Sequence, residues 1–186
     1  FGNNVLNDFL NFNSLRGTSH VANAGFDANA FFLGNDIGVI SLSTPVFATG
    51  TTRPGLRSGI PYTQLATTAP AIGTNVTLVG YGQAGTGSNP GSIFDLKRRI
   101  ATNQVEYVGL ISDLFISPPG TSNLIFTDFE DPLDTFNTDL FGTEIVTANE
   151  GTTDGGDSGG PIFALVAGQL VQVGVTSGGA SFGPFQ

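Results

Sequence analysis

Cysteine, methionine and tryptophan are all missing from this chain, and histidine occurs once, at His20. Without cysteine there is no disulfide, no thiolate zinc site and no thiol redox chemistry, so stability must rest on packing and backbone pairing. Basic residues are scarce, 6 against 15 acidic ones, for a net charge of −9. A surface of that sign repels phosphate backbones and anionic membrane surfaces, so nucleic acid and membrane are not expected partners. No apolar run is long enough to span a bilayer, and the opening FGNNVLNDFLNF lacks the basic-then-apolar layout of a signal peptide. A cysteine-free, acidic surface rich in Asn, Gly and Thr suits a secreted bacterial protein whose signal has gone.

The 186 residues are 39% apolar, enough for one sizeable core or two small ones. The 27 glycines and 10 prolines cut the sequence into short apolar runs joined by turn residues, the pattern of an all-β chain. Strands are expected in DIGVISL (36–42), TLVGYG (77–82), RRIATNQVEYVGLI (98–111), NLIFTDF (123–129), PIFALV (161–166) and LVQVGVTS (170–177). Ala167-Gly168-Gln169 between the last two is a tight hairpin signal. Prolines and glycines crowd the stretch after residue 43, which therefore reads as an extended linker. The expected division is a partial body at 1–45, a linker at 46–74 and a second body at 75–186.

The motif that carries chemistry is GDSGGP at 156–161. Glycines admit positive φ and can turn two N–H groups toward one point beside a serine hydroxyl, which makes an oxyanion hole. An isolated Asp-Ser-Gly would be an ordinary turn. Here NDIGVISLSTPV (35–46) and TLVGYGQAGTG (77–87) precede it in order. With these three motifs the sequence resembles the chymotrypsin/trypsin-like serine proteases over roughly residues 17–180. KRRIATNQV (97–105), LIFTDFEDP (124–132) and Glu150 resemble a secreted bacterial branch of that family.

The resemblance implies an all-β fold of two antiparallel six-stranded Greek-key barrels, the first incomplete in this chain. It implies Ser158 as nucleophile, Asp36 as the residue that orients the base, and the N–H groups of Gly156 and Ser158 as oxyanion hole. Thr152 would stand near the floor of the specificity pocket, where no carboxylate selects Lys or Arg. Ser177, Gly178 and Gly179 would form the edge against which a peptide or protein substrate pairs. Asp157 would hold the loop in shape by meeting an amino-terminal ammonium, and Lys97 or Arg98 would stand in for that ammonium here.

The base is the open question. The family places its histidine well before the aspartate, whereas His20 lies sixteen positions before Asp36 in LRGTSHVANAGFD, which resembles a solvent-facing loop. Three explanations stand. An amino-terminal fragment carrying the histidine stays docked after cleavage; or the polypeptide is part of a longer one; or a non-catalytic relative serves as a structural or binding subunit, its open edges completed by neighbouring subunits in an extracellular oligomer or fibre. Phe9, Phe12, Phe31 and Phe32 are candidates for the interface with whatever completes the first body. No cofactor is expected. Asp128, Glu130 and Asp131 could hold a structural calcium ion, although they lack the alternating order of a calcium loop and a solvated acidic loop is the plainer expectation.

Overall fold

Strand formation follows the apolar runs, and the partners each run finds decide what it buries. The computed structural model of the protein describes residues 17–29, 34–43, 63–87, 89–113, 124–130, 141 and 148–179. In these residues the strands are β1 (Gly17–Ala22), β2 (Gly38–Leu42), β3 (Gln64–Leu65), β4 (Asn75–Gly80), β5 (Ala84–Thr86), β6 (Asn89–Ile93), β7 (Arg99–Gln104), β8 (Tyr107–Gly109), β9 (Leu124–Phe126), β10 (Pro161–Val166) and β11 (Gln169–Val175). A 3-10 turn at Ile111–Asp113 is the one helical piece among them. The described residues are all-β, with no α-helix and no closed barrel. None of them forms a helix long and apolar enough to cross a membrane.

The main sheet has the order β3-β11-β10-β4-β7. Its centre is the β10–β11 hairpin, paired from Val166↔Gln169 to Pro161↔Val175 with a register shift between Ile162 and Phe163. The turn uses Ala167 and Gly168, both at positive φ (51° and 78°). That two-residue form matches the right-handed twist of the flanking strands. β4 pairs with β10 on one side and β7 on the other, both antiparallel. Alternation along β4 sends Val76 and Leu78 inward, where they meet Val105 and Ala164, with Val108, Ile125, Ile162 and Val173 around them. Val76 and Val105 are 1% and 0% exposed. Burying a side chain of that size contributes roughly 2 kcal/mol.

The run 98–111, expected as one strand, is two. Val105 still donates its N–H to Thr74 beside β4, but Glu106 donates to Phe126 of β9. The chain changes sheets at that corner, so β8 pairs with β9 instead of extending β7. Tyr107 of β8 stacks with Phe141 and tilts against Phe126, and its hydroxyl donates to Asp113. Hydrogen bonding to that carboxylate pushes the Tyr107 hydroxyl above its ordinary pKa.

Four strands have no counterpart among the expected ones. β3 lies in the stretch read as linker and adds in parallel to β11 through Gln64 and Leu65. β5 and β6 form a separate hairpin. β1, in the stretch read as a surface loop, pairs antiparallel with β2. This β1–β2 ribbon is exposed along its whole length. Phe9, Phe12, Phe31, Phe32 and Asp131 lie outside the described residues.

Candidate functional site

The loop 151–160 joins the main sheet at both ends. At its start Gly151 donates to Thr102 of β7, and Thr102 in turn donates to Asn149. The side chain of Asn103, 1% exposed, donates to the carbonyls of Gly151 at 3.1 Å and Asp128 at 2.5 Å. A buried amide with its donors satisfied is a stiff support, because leaving either donor unmet would cost about 1–3 kcal/mol. At the far end the loop runs into Pro161, the first residue of β10.

Between these anchors the backbone makes two consecutive tight turns, Asp157 N–H to Asp154 O at 3.0 Å and Gly160 N–H to Asp157 O at 2.8 Å. Gly159 N–H and Gly160 O bond to Thr176 just past β11. The turns require φ of +98° at Gly156 and +82° at Gly159, values that side chains with a Cβ rarely adopt. Ser158 is thereby carried at an exposed tip. Among the described residues neither the Gly156 nor the Ser158 N–H meets an acceptor, which leaves both donors available to an outside oxygen.

Asp36 reaches this tip from the turn that leads into β2. Gly34 and Asn35 have φ of +98° and +63°, and Ile37 donates back to Asn35 O at 2.8 Å, so Asp36 sits at the apex of a tight turn before β2. Its Oδ2 accepts a hydrogen bond of 2.6 Å from the Ser177 hydroxyl. The Ser177 carbonyl accepts from the Ser158 hydroxyl at 3.4 Å. Residues 36, 158 and 177, far apart in sequence, are joined through one residue. Ser177 was expected as part of the peptide-pairing edge; its hydroxyl has the further part of holding Asp36, which the bare motif does not signal.

His20 is in β1, where its Cα partner is Ile40, four residues beyond Asp36. At roughly 3.3 Å per residue that offset is about 13 Å along the ribbon, outside hydrogen-bond reach of the Asp36 turn. No imidazole of this chain therefore bridges Asp36 and Ser158.

Asp157 has partners other than those expected. Its Oδ1 accepts from Gly82 N–H at 2.7 Å and its Oδ2 from Asp154 N–H at 3.0 Å. Lys97 pairs with Asp95 instead, at 3.1 Å, and Arg99 clasps both oxygens of Asp95 at 2.8 and 3.0 Å. The Arg99 hydrogen bonds, assisted by Lys97, hold the Asp95 carboxyl well below the usual carboxylate range. Asp95 in return raises the Arg99 guanidinium, and a weaker push in the same direction comes from the charge of Asp157.

A cleft of about 310 Å³ lies beside this loop, lined among others by Gly80, Gln83, Arg99, Glu150, Thr152 and Asp157. Thr152 and Asp154 are on its wall, whereas Ser158 and residues 177–179 are outside its lining. Ser177 is half-buried, Gly178 and Gly179 are exposed, and a Cβ at Gly179 would meet nothing within 4 Å. Of the expected calcium ligands, Asp128 meets the Asn103 anchor through its carbonyl, and Glu130 is buried and donates its N–H to Glu150 Oε2 at 3.2 Å. No group of three or more His, Cys, Asp or Glu side chains among the described residues is arranged to hold a metal ion. No protein-family model matches the chain, and no curated protein matches it either.

Proposed function

We propose that the chain is the nucleophile-bearing part of a secreted, trypsin-like serine endopeptidase. The observation that carries this is the connection from Asp36 through Ser177 to Ser158, which sets a carboxylate and an exposed serine on either side of one residue. On this reading the strands belong to two six-stranded Greek-key barrels, and the base is an imidazole supplied by a segment outside this chain. Asp36 orients that imidazole and stabilises its positive charge. The Ser158 hydroxyl gives up its proton and attacks the scissile carbonyl carbon. The resulting oxyanion is held by the Gly156 and Ser158 N–H groups. The leaving amine takes the proton, and water then releases the acyl group from Ser158 by the same route. An extended peptide pairs along Ser177, Gly178 and Gly179 by strand addition. Thr152 stands where the trypsin branch carries a carboxylate, so no strong preference for basic side chains is expected, although Asp154 shares the cleft wall with it.

A second reading rests on the ribbon. Val21, Val39 and Ile40 are 67–69% exposed on a two-stranded sheet, which is marginal alone in water. A non-catalytic subunit that completes this sheet with neighbouring subunits in an extracellular oligomer or fibre accounts for that exposure and for the absent base.

One experiment separates the two. The protein is treated with a fluorophosphonate and its denatured intact mass is recorded. The endopeptidase reading expects an adduct that disappears in Ser158→Ala, together with a second, histidine-bearing polypeptide. A single unlabelled chain in regular multimers by light scattering contradicts it and supports the structural subunit.

A further inference from the structure

The carboxylate of Asp157 is not merely near the end of β4; it occupies the space that side chains of the Gly80-Tyr81-Gly82 run would fill. A Cβ at Gly80 would overlap Oδ1 and Cγ of Asp157, and one at Gly82 would lie 2.7 Å from both the backbone N and Oδ1 of Asp157 and 2.8 Å from its Cγ. Real Cβ atoms do not approach other heavy atoms so closely. Within this seat the carboxylate accepts from the Gly82 N–H at 2.7 Å on one oxygen and from the Asp154 N–H at 3.0 Å on the other. Hydrogen bonds from backbone N–H groups to an ionised carboxylate are the stronger kind. One comes from the bend just past β4 and the other from the loop itself, so the side chain ties residues 154–158 to the chain leaving β4.

We infer that Gly80 and Gly82 are positioning residues for Ser158, which act through Asp157 and set the loop with the chain's own backbone and without an amino-terminal ammonium. The consequence for Ser158 as a nucleophile rests on the endopeptidase reading; the seat itself does not. Two consecutive turns, with Asp157 contributing N–H to one and O to the other, hang from a residue whose side chain is held at both oxygens. Filling the seat expels the carboxylate, and the turns lose their fixed centre.

The test is a double-mutant cycle on the full chain between Gly80→Ala and Asp157→Ala, read by amide hydrogen exchange at Gly159 and Gly160, whose N–H groups bond to Thr176 O and Asp157 O. Gly80→Ala in the native background is expected to speed exchange at these amides at least roughly tenfold, since two charge-assisted bonds are lost. In the Asp157→Ala background the same substitution should change exchange less than about twofold, because Oδ1 and Cγ are gone and only the 3.1 Å contact with the Cβ of residue 157 remains. Equal effects in both backgrounds, or none in either, would overturn the seat. Because the double variant shares any general cost of Ala at the end of β4, a merely disrupted strand is recognised by that equality.

Fluorophosphonate labelling of the same variants, and of protein with its amino terminus acetylated, addresses the rest. Labelling that is unchanged by acetylation and reduced in Gly80→Ala in step with exchange is expected. Labelling lost on acetylation would overturn the independence from an amino-terminal ammonium. If native protein is not labelled while the exchange cycle behaves as described, the endopeptidase reading fails and the seat stands. Labelling equal in native and Gly80→Ala protein, with exchange unchanged, removes the seat and leaves the endopeptidase reading.

Discussion

Strand β2 of the ribbon and strand β4 of the main sheet begin from similar sequence material, short apolar runs between turn residues, and end in opposite circumstances. In β4, Val76 and Leu78 are 1% and 4% exposed because β7, β10 and the corner at Val105 close over them. In the ribbon, Val39 and Ile40 are 67% and 68% exposed because among the described residues each strand has only the other as neighbour. An apolar pattern therefore states that a strand has a face to bury and leaves open what the face meets. The candidate site spans this divide, since Ser158 and Ser177 hang from the packed sheet and Asp36 comes from the ribbon.

The largest expected effect breaks the comparison at its apolar residues. Leu78→Ala should lower the unfolding free energy by about 3 kcal/mol, whereas Val39→Ala should stay within about 0.5 kcal/mol, both read by denaturant titration. A Val39→Ala cost as large as that of Leu78→Ala would mean that the ribbon's face is covered in solution. A smaller effect concerns the connection between the two regions. Asp36→Ala removes a hydrogen bond to a charged, half-buried group worth about 2 kcal/mol. It should speed hydrogen exchange at the ribbon amides 17–22 and 38–42 while amides of β4 and β10 stay as they were. Uniform acceleration in both regions would show that the ribbon and sheet unfold as one unit.

Much of the sheet was legible in the sequence for local reasons. PIFALV and LVQVGVTS carry their own turn in Ala167-Gly168, so the strands, the hairpin and the register as far as Phe163 follow from one short segment, and the shift at Ile162 does not. The single run 98–111 misleads because nothing in its apolar pattern marks Val105 as a corner; only the switch of hydrogen-bond partners from Thr74 to Phe126 does. GTSHVA offers little apolar alternation, and β1 forms because β2 supplies the pairing. At the site, the loop glycines and Ser158 are visible as a motif, since positive φ demands particular residues. The roles of Ser177 toward Asp36 and of Gly80 and Gly82 toward Asp157 are long-range. The three-dimensional approach of strands distant in sequence creates them, and a glycine alone does not announce what it makes room for.

The most direct test of the connection from Asp36 to Ser158 supplies a base from solution. The rate of fluorophosphonate labelling at Ser158 would be measured against imidazole concentration for the chain freed of any histidine-bearing polypeptide and for its Asp36→Ala variant. The account predicts that labelling accelerates with imidazole in the native chain and that Asp36→Ala flattens this dependence at least roughly tenfold, because an unoriented imidazole is a poorer base. Labelling that ignores imidazole, or a dependence that Asp36→Ala leaves intact, would contradict it.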